Sequence, residues 1–216
     1  MQIKLFQKPG DTCFYFFQDL AFVPIQALVV TLVLNKLLNM MERRRNLKKV
    51  NVIISAFFSE IGTSIIYALS KLNENHDRFS QIIDITELNK KNTNILIKKI
   101  NEFDFKIGLT LDKLASLGPV LIEKKSFMIG MLENSSLMEH DSFTDMLWAV
   151  FHVADELQSR DLTALSPADL DHLSLDVVRA YRLIIIEWVN YLKYLNVEYP
   201  YLFNLAVRKN PFSEGS

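Results

Sequence analysis

Three of the four histidines, His140, His152 and His172, lie within the last 80 residues of this chain, each near carboxylates. His152 precedes Glu156 by four residues, so on a helix the two share a face. Asp169 and His172 have the i,i+3 spacing with which helical bundles present a carboxylate and an imidazole to a di-iron site, and Asp176 follows one turn later. The chemistry such a set supports is coordination of iron, zinc or manganese by His140, His152, Glu156, Asp169 and His172, in a membrane-tethered metal-binding enzyme or sensor. Helix geometry argues against it. The apolar face of the first helix centres near Leu147 and that of the second near Leu170, while His152, Glu156 and His172 point to the opposite sides. The simpler expectation is exposed histidine–carboxylate pairs, with no cofactor and no catalytic residue.

The far side of the second helix is not purely polar, since it carries Leu175, Leu183 and Ile186. If another element or subunit covers it, Asp169, His172, Asp176, Arg179, Glu187 and Asn190 form a polar strip at an interface, with histidine as a pH-sensitive element. Other chemistries leave no trace. The glycines are too scattered for a phosphate loop, and no G-x-S-x-G elbow occurs. Cys13 is the only cysteine, which rules out a disulfide or a cysteine-rich zinc site within one chain.

A second group of chemistry-bearing residues sits in an apolar setting. Residues 13–34 read CFYFFQDLAFVPIQALVVTLVL, and no charge falls between Leu20 and Leu34. With Lys36 snorkelling, about 22 residues and roughly 33 Å of helix are available, enough to cross a hydrocarbon core of about 30 Å. Asp19 and Gln26 are seven residues apart and share a face to within about 20°. Pro24 frees the carbonyl of Leu20 and is expected to kink the helix. An ionisable group in a span faces protein or water, so Asp19, Gln26 and Pro24 mark an intramembrane interface. A polar path through an oligomeric channel or transporter subunit is a second alternative.

Beyond the span come Lys36, Arg43, Arg44, Arg45, Lys48 and Lys49, against only Lys4 and Lys8 before it. Positive charge near the ends of a span sets its orientation. The N-terminus is therefore expected outside a prokaryotic inner membrane and the large C-terminal part in the cytoplasm. The same cations would hold anionic lipid at about 1 kcal/mol each. Nucleic acid is not an expected partner. The net charge is −1 and the pI near 6.4, and no aromatics or further cations accompany the patch.

The elements that must position these residues are helical. Half of the 216 residues are hydrophobic, and six glycines and six prolines leave long uninterrupted runs. Leu47, Val50, Ile54, Phe57, Phe58, Ile61, Ile65, Ala68 and Leu72 step by threes and fours, an apolar stripe about 100° wide. It can pack on its own domain or on copies of itself. Ser55, Ser59 and Thr63 form a small-residue face that would admit another backbone closely. Helices are then expected at 93–104, at 109–132 with a break or kink at Pro119, from an Asp141 or Ser142 cap to about 160, at 166–195 and at 201–208. The SPAD segment, 166–169, has the N-cap serine, the proline and the carboxylate of a helix start.

The sum is an all-α chain: an N-terminal transmembrane helix continuing into a stalk helix, followed by a cytoplasmic helical bundle. Its parts are a short extracytoplasmic tail (1–12), the transmembrane helix (13–37), a basic juxtamembrane segment and stalk (38–72), the helical domain (73–212) and a disordered tail (213–216). The C-terminal EYPYLFNLAVRKNPF, with the capped helix pair before it, resembles prokaryotic membrane-anchored helical proteins that have no assigned activity. The resemblance implies no chemistry. The function expected is assembly, with itself or with other membrane proteins, as a scaffold, signalling component or accessory subunit.

Overall fold

In the computed structural model, which describes residues 9–86, 88, 90–138 and 140–212, helix α1 spans Pro9–Phe57. Residues 1–8 and 213–216, the bulk of the expected outer tail and the whole of the expected disordered tail, lie outside the described residues. The chain divides into two compact units, Met1–Lys48 and Lys49–Ser216.

The first unit is the N-terminal part of α1. It is the single helix among the described residues long and apolar enough to cross a membrane, and its most apolar stretch is wholly exposed. The helix runs on through Pro24 without a break, although that residue contributes no N–H. Thr31 donates its hydroxyl to the Ala27 carbonyl, 2.7 Å away, one turn back.

The second unit takes in residues that the sequence pattern assigns to a stalk. Val50, Ile54, Phe57, Phe58, Ile61, Ile65 and Leu72 are buried in its core, so the stripe packs on its own domain. Leu47, 48% exposed, does not belong to it, and the buried stripe starts at Val50. Phe57 and Phe58 are consecutive and both fully buried, which an ordinary helix face accommodates poorly. The backbone solves this with a π turn over Phe58–Gly62, which places one extra residue in the turn. The Thr63 N–H and hydroxyl both donate to the Phe58 carbonyl, the hydroxyl at 2.8 Å. Helix α2, Thr63–Ser70, continues from there.

The remaining elements are α3 (His76–Ser80), α4 (Lys90–Glu102), α5 (Leu111–Leu132), the short α6 (Ser135–Met138), α7 (Asp141–Ser159), a 3-10 turn (Leu162–Ala164), α8 (Pro167–Glu198) and α9 (Pro200–Arg208). Helix α5 passes through Pro119 unbroken, so of the expected break or kink the break does not occur. Helix α8 is the centre of the unit: α2, α4, α7 and α9 all pack on it, and α5 packs on α7 and α2. Leu173, Val177, Tyr181, Ile184, Trp188 and Leu195 are buried as their spacing predicts.

Ser166 caps α8 by accepting from the Asp169 N–H, and the Asp169 carboxylate accepts from the Ser166 N–H in return. The cap of α7 is His140 rather than Asp141 or Ser142. Its Nδ1 accepts from the Phe143 N–H at 3.4 Å, while Ser142 turns its hydroxyl to Glu187.

Polar side chains of α8 also hold the irregular segments on either side of α4. Ser174 donates to the Ile107 carbonyl (3.1 Å), Arg182 to that of Phe103 (3.1 Å) and Asn196 to that of Leu88 (2.9 Å). Beneath them Phe79, Phe103, Phe105 and Tyr181 form an aromatic cluster with neighbouring centroids 4.9–5.1 Å apart. Asn73 and Ile107 make one isolated antiparallel bridge, and everything else that is regular among the described residues is helical.

Candidate functional site

Helices α7 and α8 form an antiparallel hairpin, so residues equally far from the connection face each other. His152 lies eight residues before Arg160, and His172 and Asp176 lie six and ten after Ser166, at comparable heights of roughly 9–15 Å along the two axes. There the three side chains converge. His152 Nε2 is 3.5 Å and His172 Nε2 3.4 Å from the same oxygen, Asp176 Oδ2. The two imidazoles are half-exposed or more, and the carboxylate below them is 17% exposed. That Oδ2 atom is buried, and neither approach has the alignment of a hydrogen bond.

Glu156 and Asp169 do not join this group, because Arg160 holds both. Its Nε donates to Glu156 and its Nη1 donates to Asp169 at 2.7 Å. Bonds to Ser166, first through its hydroxyl and then its backbone, and next to Arg160 hold the Asp169 carboxyl below its usual pKa. The ligand set expected from spacing is therefore split in three. His140 caps α7, Glu156 and Asp169 take Arg160, and only His152 and His172 meet, at Asp176. Arg160 was missed, though its i+4 position relative to Glu156 is a readable signal.

The polar strip is divided as well. Arg179 is exposed and Asn190 half-buried, while Glu187 is only 3% exposed. Burial raises the Glu187 pKa, against the opposing influence of the Ser142 hydroxyl, the His140 side chain and Asn190, whose Nδ2 lies 3.4 Å from Oε1. Leu183 and Ile186 are partly covered by the core and Leu175 is 69% exposed.

Ser55, Ser59 and Thr63 line a groove of about 190 Å³ whose other walls are Trp188, Tyr191 and Leu195 of α8 and Leu202, Leu205 and Ala206 of α9. The small-residue face thus looks onto helices of its own chain. Burial raises the Tyr191 pKa, with a bond to Ser59 acting the other way. In the first unit Asp19, Gln26, Lys36, Arg43, Arg44, Arg45 and Lys48 are exposed, and so is Lys49, the first residue of the second unit.

An exposed apolar N-terminal helix and a separate domain built on one long central helix define a two-part all-helical protein. This chain belongs to the MJ1433 family. Residues 46–208 match the model described as the C-terminal helical domain of uncharacterized protein MJ1433, and residues 1–38 match that of its N-terminal helical domain. It is 39% identical to uncharacterized protein MJ1433 of Methanocaldococcus jannaschii over 214 residues, covering 98% of this chain and 86% of that protein. No solved structure matches it. The border between the two family models, between residues 38 and 46, falls in the basic segment.

Proposed function

We propose that this protein is a single-pass protein of the prokaryotic inner membrane, with its N-terminus outside and its helical domain in the cytoplasm. It acts by assembling with itself or with other membrane proteins, as a scaffold, signalling component or accessory subunit, rather than by turnover. The observation that carries this reading is the exposure of the apolar run all round the helix. Phe16, Leu20, Ile25, Leu28, Val30 and Val33, which at 100° per residue are spread round the axis, are each more than half exposed. A helix that is apolar on every side requires an apolar surrounding.

The basic residues support the orientation. At 100° per residue, Lys36, Arg43, Arg44, Arg45, Lys48 and Lys49 are distributed around the helix axis rather than along one stripe. Such a collar suits a headgroup layer, which surrounds a helix on all sides, and favours the cytoplasmic face. Asp19 and Gln26, on one face of the run, are the residues through which the spans associate.

The test is fractionation of cells expressing the full chain. The protein should stay with membranes after alkaline carbonate washing and dissolve in detergent. Protease added to spheroplasts should leave the C-terminal domain intact, and protease added to inverted vesicles should remove it. Release by carbonate would overturn the anchor, and the opposite digestion pattern would overturn the orientation.

A further inference from the structure

We propose that His152, His172 and Asp176 form a binding site for one divalent transition-metal ion of the zinc or ferrous type, clasped between α7 and α8. Two imidazole nitrogens and one carboxylate oxygen all lie within 4.8 Å of one another. Zinc binds such nitrogen at about 2.0–2.1 Å and such oxygen at about 2.0–2.2 Å, so tetrahedral ligands stand roughly 3.4 Å apart. The two distances from Asp176 Oδ2, 3.5 and 3.4 Å, already have that value. Closure between the two imidazole nitrogens, by at most about 1.4 Å from the 4.8 Å limit, falls on half-exposed side chains that can turn.

Ordinary ion pairing explains the same atoms less well. A carboxylate paired to histidine is expected to take an aligned hydrogen bond, yet the buried Oδ2 has none among the described residues. Neighbouring charge is also disposed of. Arg160 is committed to Glu156 and Asp169, and Arg179, three residues after Asp176, forms no ion pair with it among the described residues, which leaves Asp176 to the histidines. Two nitrogens and one oxygen, with no sulfur, suit zinc or ferrous iron better than magnesium or calcium. Three protein ligands on an exposed rim leave at least one coordination position for water or an outside group.

The experiment uses the full-length, untagged chain in detergent, stripped of metal and titrated separately with Zn²⁺ and Co²⁺, with bound metal measured after gel filtration. The expected result is one equivalent of either ion, and visible ligand-field bands of low-symmetry Co²⁺ that zinc abolishes. His152→Ala, His172→Ala and Asp176→Asn should each weaken binding at least tenfold while circular dichroism stays unchanged. His140→Asn, which keeps a capping acceptor, should bind as the parent does. Less than about a tenth of an equivalent would overturn the site. So would undiminished binding in the three variants, or an equal loss in His140→Asn. Because the anchor is tested by fractionation, failure of the metal site leaves that reading untouched, and the converse holds.

Discussion

A Cβ placed on Gly62 would stand 2.6 Å from Cε1 of Phe57, closer than any real contact of that kind. It would also lie 2.6 Å from Cδ1 of Phe58. Neither ring can give way easily. Phe57 sits edge-on to Phe143 at 5.3 Å and Phe58 is stacked on Tyr191 at 5.1 Å, and both are fully buried. Gly62→Ala should therefore lose stability by about 1–2 kcal/mol, because overpacking of about 1–3 kcal/mol exceeds the helix-propensity gain of up to about 1. Gly130, exposed on α5 with open space around its Cα, is the contrast. Gly130→Ala should gain about 0.5–1 kcal/mol. Urea denaturation of the two variants side by side gives the sign of each.

Glu187 should make stability depend on pH. Burial raises its folded-state pKa above the ordinary 4.5, so the folded chain holds that proton more tightly than the unfolded one. The resulting stability is fully present below the ordinary value and is lost as pH rises through the folded one. Glu187→Gln removes this slope. Its melting temperature should match the parent's near pH 4 and exceed it at pH 7, measured by circular dichroism across that range. An unchanged difference at every pH would remove Glu187 as the source.

The start of α8 depends on Ser166. Ser166→Ala removes the capping acceptor and should cost about 1 kcal/mol of stability in chemical denaturation. Since the bonds to Ser166 are the leading cause of the low Asp169 pKa, that carboxyl should also titrate closer to the ordinary range, followed by NMR. Arg160→Gln should move the same titration in the same direction by less.

The α-helical character, the apolar stripe from Val50 and the SPAD start of α8 were legible because each rests on local spacing. What joins α7 to α8 was not. His152 and His172 both turn away from the core faces of their own helices, and sequence periodicity reads that as solvent. Side chains on the outward flanks of two packed helices can still meet across the seam, which depends on how each helix is rotated about its axis. The π turn was illegible for a related reason. Two adjacent phenylalanines in one stripe look like a wide face until the backbone inserts a residue to make room.

Asp19→Leu should change the assembly state. If spans associate through Asp19 and Gln26, the variant in mild detergent should have a smaller mass by multi-angle light scattering than the parent, with the helical domain still folded. The double change Asp19→Leu with Gln26→Leu should go at least as far. Equal masses for parent and variants would dismiss an interface on this face.

The central place of α8 has a consequence for the order in which the protein can be made. The stripe from Val50 to Leu72 leaves the ribosome long before Trp188 and Tyr191, on which it finally rests, and the Phe103 and Ile107 carbonyls await Arg182 and Ser174. Loop closure over such distances is slow and leaves apolar surface uncovered meanwhile. A nascent chain halted before Pro167 would have its first three-quarters synthesised and its template missing. Completion of the last quarter, rather than gradual growth, is the event that lets this domain fold.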